Sequence, residues 1–379
     1  MALVKRLSKA ITVVAVVLFV ILVISLIVVL YPLIYEIISR IYHRVPEGVK
    51  DEDKLLVLAK ATELSTLALD NMSDIAHKSL GTMPCEEELE IISKYISISK
   101  YNINIFEEYL REDPMIPSMY RWRMLRTMSK YKRIVHTSER LSGIVLELYQ
   151  TYKELRKAIE TREYSKIPEI TNRLENTENV LKEVLQNLNN ISREDLLSGE
   201  HWRRVRRGLE NTEKTLKEVY ELKRLSQLLR DYPQLAELSF QIGRNMDDLI
   251  IALNRNDMNA VRRLVKSIRR CVNELISDED FENYYDKVKE LNPEYTSGLF
   301  SYVEYLKRGT PDPHLVNELM QLLDLLEKYT RGEITRDELI RRLRNLEEQT
   351  GIVGELSTGI SRAYGMGSGA TKGEERPRD

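Results

Sequence analysis

The chain has 379 residues and 31% of them are charged, yet 57 Lys and Arg nearly balance 59 Asp and Glu, leaving a net charge of -2. That balance excludes nucleic-acid binding driven by overall charge, and no nucleic-acid partner is expected. Cys85 and Cys271 are too few for a disulfide framework and lack metal-site spacing; they read as two semi-buried thiols, or as one disulfide if the domain faces an oxidising space.

In chain order, a basic flank (residues 1–9, with Lys5, Arg6 and Lys9) precedes an apolar run from Ala10 to Tyr35 that holds no charge between Lys9 and Glu36. The run exceeds the apolar core of a cleavable signal, and its first 21 residues alone make roughly 31 Å of helix, enough to cross a bilayer. Residues 10–44 are therefore predicted as a transmembrane and membrane-proximal helix, an uncleaved signal anchor meeting the lipid bilayer through residues 10–35. The basic flank favours the N-terminus inside, placing the remainder outside the cytoplasm.

Lys9-Ala10-Ile11, a basic and a small residue just ahead of an apolar segment, resembles the processing site of class III, type IV pilin-like, signal peptides, and Pro32 falls where pilin helices often carry proline. The resemblance implies a cell-surface subunit processed after Lys9. A positive flank ahead of an anchor explains the same residues.

Beyond Val45-Pro46-Glu47-Gly48 the chain reads as all-α: long Leu, Glu, Lys and Arg segments punctuated by Gly and Pro. A helix is predicted from Asp51 to about Leu80, another from Pro84 through Glu112, and one of some 45 residues from Ser118. The second half of that long helix carries Leu141, Val145, Leu148, Tyr152, Leu155 and Ile159 at steps of three and four. After a turn at Glu163 to Ser165, Ile170, Leu174, Thr177, Leu181, Val184, Leu188 and Ile191 repeat the device, predicting an antiparallel αα-hairpin. Ser192-Arg193-Glu194-Asp195 and Ser198-Gly199 announce a third long helix, with its seam at Val205, Leu209, Leu216, Val219, Leu222, Leu225 and Leu229.

A second hairpin follows, from Pro233 to Asn254 and then along Val261, Leu264, Val265, Ile268, Val272 and Leu275. Its turn, ALNRNDMNAVRRLVKSI, parallels AIETREYSKIPEITNRL 94 residues upstream, as a duplication or as convergence of similar turns. Shorter helices are predicted at Asp280 to Leu291, Glu294 to Arg308 with Gly309 as its stop, and Pro313 to Tyr329. A last helix opens on a capping box at Thr335 to Glu338. Two bundles, 51–192 and 193–350, and a flexible Gly-rich tail, 351–379, complete the predicted organisation of an elongated soluble region.

No catalytic, cofactor or metal motif stands out, and no enzyme is expected. The histidines His43, His77, His136, His201 and His314 are scattered without a Glu-x-x-His segment. Three basic clusters stand out: Arg121-Trp122-Arg123 through Arg133, His201-Trp202-Arg203-Arg204 through Arg207, and Arg262 to Arg270. Trp beside Arg suits anionic headgroups or a nucleic-acid backbone, although helical phase makes the third cluster a solvated stripe. Sequons at Asn71 and Asn190 are acceptors if the domain lies outside.

These features predict a single-pass, membrane-anchored helical scaffold or assembly element without catalysis, meeting a protein partner or itself through helical faces. The layout, one anchor ahead of tandem helical bundles, is similar to that of spectrin-like bacterial division regulators. A helical sensor or receptor domain and a pilin-like subunit are the alternatives.

Overall fold

The structure, a computed structural model, describes residues 54–112, 118–347 and 358–360. The apolar run at 10–35, the Lys9-Ala10 pair, His43, the Asp51 cap and most of the predicted tail lie outside these residues. Among the described residues there is no strand, and no helix is long and apolar enough to cross a membrane.

The all-α expectation holds. Eleven α-helices are described: α1 (Lys54–Lys78), α2 (Glu86–Glu112), α3 (Ser118–Thr161), α4 (Ile167–Asn189), α5 (Gly199–Asp231), α6 (Pro233–Asn254), α7 (Met258–Ile276), α8 (Phe281–Glu290), α9 (Phe300–Gly309), α10 (Val316–Thr330) and α11 (Arg336–Glu347). They group into two compact units. Of the described residues, the first takes those from Lys54 to Ser79, from Met83 to Leu146 and Val180–Lys214; the second takes Leu80–Thr82, Glu147–Asn179 and those from Thr215 on. The grouping is not a cut near residue 192, because α3, α4 and α5 each give residues to both units.

Within the first unit the direction of each helix follows from its ion pairs. Lys100 meets Glu139 at 2.7 Å and Glu107 meets Lys132, which sets α2 antiparallel to α3. Arg140 bonds Glu183 at 2.9 Å, and Lys130 donates to the Asn190 carbonyl at 2.8 Å, setting α3 antiparallel to α4. Along α1 and α5 the partners rise together: Glu63 with Arg204 (3.6 Å), Asp70 with Arg207 (2.8 Å) and Ser73 with Asn211 (3.4 Å). Those two helices are therefore parallel, and the starts of α1, α3 and α5 share one end of the unit with the last turns of α2 and α4.

All six seam residues of α3 from Leu141 to Ile159, and all seven from Ile170 to Ile191, are buried as predicted. The seam of α5 needs a correction. Leu209 and Leu216 are only half-buried, and the inward positions are Gly208, Thr212 and Thr215. Small residues there let the backbones approach: a Cβ on Gly208 would stand 3.0 Å from Leu69 Cγ. Thr212 returns its hydroxyl proton to the Gly208 carbonyl at 2.7 Å, which removes the penalty for burying it.

In the second unit α6 and α7 form the predicted hairpin, with α9 against α6 and α10 against α7. The predicted helix at 294–308 is broken. Asn292 caps by accepting from the Glu294 N–H, two short 3-10 turns follow (Pro293–Tyr295 and Ser297–Leu299), and α9 starts only at Phe300. Ser297 takes a φ of 50°, and a Cβ on Gly298 would lie 2.4 Å from the Tyr152 hydroxyl oxygen. Gly309 is not a free stop either. It is the buried last residue of α9, where a Cβ would fall 1.7 Å from the Ser239 carbonyl oxygen of α6; on Gly243 it would fall 2.2 Å from the Tyr305 carbonyl oxygen.

The two similar turns do share geometry. Arg162 (φ 59°) and Asn256 (φ 55°) are left-handed, and each turn closes with the same pair of bonds: Glu163 N–H to Ala158 and Arg162 N–H to Ile159, Asp257 N–H to Ala252 and Asn256 N–H to Leu253. Gly332 (φ 74°) closes α10 identically outside any repeat, so this motif is a generic way of ending a helix and does not by itself signal duplication. Of the predicted tail, Thr358–Ile360 are described as a helical turn with Ile360 fully buried.

Candidate functional site

The three basic clusters part company in the structure. Around Trp202 the arginines are matched by acids: Arg203 and Arg204 pair with Glu200, Arg204 also with Glu63, Arg206 with Glu210 and Arg207 with Asp70. Such a lattice holds helices together and leaves little net field. On α7, Arg263, Lys266 and Arg270 are exposed, in agreement with the predicted stripe, while Arg269 reaches Asp324 and Glu327 of α10 and Arg262 donates to the Thr330 carbonyl at 3.2 Å.

The first cluster differs. From Ser118 to Ser138, α3 carries six Lys or Arg and no Asp or Glu. At its start Met119 is 71% and Trp122 65% exposed, and the Arg126 guanidinium lies 5.8 Å from the Trp122 ring centroid. Arg126 and Lys130 both reach Asp195 at 3.3 Å, and this ties α3 to the α4–α5 connection, where Leu197 is 50% exposed.

Under that surface lies a buried link. Tyr131, fully buried, accepts the Leu197 N–H at 2.9 Å, which leaves its own proton for Nδ1 of His201 at 2.6 Å. Burial pushes the Tyr131 phenol up to about 12. Burial, then the nearby Arg204, lowers the His201 imidazole, keeping it the neutral acceptor this bond requires. Burial would raise the Asp195 carboxyl, but the Ser192 N–H (3.0 Å), the Ser192 hydroxyl and Lys130 hold it low. The sequence marks Ser192 to Asp195 as a helix start, and the structure has a capping box there that opens a short 3-10 turn, Arg193–Asp195, ahead of α5; Asp195 in addition ties that turn to α3.

The remaining histidines do not converge: His136 and His314 are exposed and His77 is half-buried. Among the described residues no three His, Cys, Asp or Glu side chains are grouped to hold a metal. Cys85 is exposed and Cys271 buried, neither in a disulfide. Asn71 is exposed on α1, and the Asn190 carbonyl takes the Lys130 bond. The α6–α7 hairpin carries an open groove of about 480 Å³ lined by Asn245, Asp248, Ile251, Arg255 and Arg263 among others.

One feature was missed in the sequence. The buried seam of α2 is Ile92, Ile96, Ser99, Ile103, Phe106 and Leu110. A second stripe, Ile91, Tyr95, Ile98 and Ile105, sits at heptad-compatible spacing on the flank away from Lys100 and Glu107, with Ile91 and Ile98 exposed. Its spacing of four, three and seven was visible, but beside a stronger seam it merges into general apolarity.

Comparison with family models, curated proteins and solved structures finds no match to this chain.

Proposed function

We propose that the chain is a single-pass, membrane-anchored helical scaffold without catalytic activity, held in the bilayer through residues 10–35 and assembling through helix faces. The observation that carries this reading is the outer stripe of α2, a heptad-spaced apolar flank beside an already satisfied core seam. A second copy presenting the same stripe is its simplest occupant, since an isologous contact satisfies both surfaces at once. The uncharged stretch from Ala10 to Tyr35 supports the anchor, and the charge of its flank favours a domain outside the cytoplasm.

The test is sedimentation of the full chain in detergent micelles, beside the I91K/I98K double variant. Dimerisation weakened about tenfold or more by the variant supports the assembly reading. A chain that stays monomeric at high concentration, or a variant that dimerises unchanged, overturns it. The sensor alternative draws on the α6–α7 groove, whose size suits a small molecule. A thermal shift produced by a metabolite and abolished by Arg263→Glu would favour it. N-terminal mass spectrometry settles processing after Lys9.

A further inference from the structure

The chain enters its described part at Lys54, the start of α1. Because α1 and α5 run parallel with Glu63 opposite Arg204, Lys54 lies nine residues earlier, about 13 Å beyond that pairing level along the helix. The start of α3 projects at the same end: Ser118 precedes Arg126, the residue level with Asp195, by eight residues, about 12 Å. The end of the first unit that receives the chain from its apolar N-terminal run is thus the end that displays Met119, Trp122 and Leu197. It is also where α3 carries only cations.

We infer that this end of the first unit is a lipid-facing surface, which lays Met119 and Trp122 into the interfacial layer of the same bilayer that holds residues 10–35, with Arg123 and Arg126 among the headgroups. The inference rests on the anchor reading. Three observations select lipid over a protein partner. The amphipathic indole is the side chain suited to the boundary between headgroups and acyl chains. Arginines flanking it on one helix can extend to anionic headgroups while their stems stay on the apolar side. Only 18 residues, 36–53, separate the apolar run from Lys54, a reach of at most roughly 60 Å even when fully extended, so this end stays within a short tether of the membrane. Acidic groups at the same end are largely engaged: Glu107 of α2 by Lys132 and Arg111, Glu63 of α1 by Arg204, Glu200 by Arg203 and Arg204, and Asp195 by Arg126 and Lys130, while Glu108 of α2 is exposed.

The chain has two tryptophans, which makes the test direct. Full-length Trp202→Phe protein is reconstituted into vesicles of phosphatidylcholine and phosphatidylglycerol whose acyl chains are brominated, and flotation is scored with Trp122 emission. The expected result is a chain that floats, with Trp122 emission blue-shifted and quenched about twofold or more relative to unbrominated vesicles. Native protein compared with Trp122→Phe gives the same readout by difference and needs no change at Trp202. A chain that does not float removes the anchor reading and the inference together. A chain that floats with Trp122 unquenched, whether open to aqueous acrylamide or shielded by another copy, overturns the inference and leaves the anchor standing.

Discussion

The phenol of Tyr131 stands 2.6 Å from Nδ1 of His201, seventy residues further along the chain, and the same oxygen accepts the Leu197 N–H. Removing that oxygen leaves the buried His201 acceptor and the part-buried Leu197 N–H without this partner. Tyr131→Phe should cost about 1–3 kcal/mol in urea unfolding of the chain lacking residues 1–44, a form we expect to be soluble and helical by circular dichroism. A loss below about 0.5 kcal/mol would mean that solvent reaches the site.

Acid should weaken the same junction in two stages. The folded-state pKa of His201 is depressed, so its contribution is complete above the unfolded value of about 6.5 and is lost as pH falls towards the lower folded value. Asp195 is also depressed: its contribution is complete above about 3.9 and disappears at lower pH. His201→Gln should flatten the first stage, and Asp195→Asn the second, in stability measured against pH.

Gly243 and Gly309 fix how closely α6 and α9 approach. A methyl group at either meets a backbone carbonyl, which cannot rotate aside, so Gly309→Ala and Gly243→Ala should each cost about 3 kcal/mol or more. Gly81→Ala, with open space around its Cβ position, serves as the control and should stay within about 0.5 kcal/mol. Thermal melts of the three variants decide the point.

Charge placed on the outer stripe of α2 should separate assembly from folding. Ile91→Lys and Ile98→Lys lie on exposed positions, so unfolding free energies should move by no more than about 0.5 kcal/mol while self-association falls. Unfolding of the monomer by either change would show that the stripe belongs to the core.

Much of this fold is legible in the sequence where apolar side chains alone mark the buried face. The seams from Leu141 to Ile159 and from Ile170 to Ile191 are of that kind, and α3 begins at the predicted Ser118. The reading failed where burial falls to residues that apolar counting ignores: Gly208, Thr212 and Thr215 in α5, which pack through smallness and self-satisfied hydroxyls. It failed again at 294–299, where a capping Asn and a following Pro signal a helix start that the left-handed Ser297 then interrupts. The surface at Trp122 was half visible. Tryptophan beside arginine stands in two places in the sequence, and what separates them is exposure and spacing of acids: Trp202 is half-buried among Glu200, Glu63 and Asp70, whereas Trp122 is exposed on a stretch of α3 that carries no acid of its own.

The interleaved make-up of the two units also sets an order in time. The first unit needs residues up to Lys214, yet 147–179, part of the second, are synthesised before 180–214. At about 5–20 residues per second a ribosome takes roughly 10–30 s to pass from Lys54 to Lys214, and through that interval α1 waits for α5, the helix it pairs with through Asp70 and Arg207. A chaperone acting on nascent chains would find its clearest substrate here in that window, which closes only when residues 199–214 have left the ribosome.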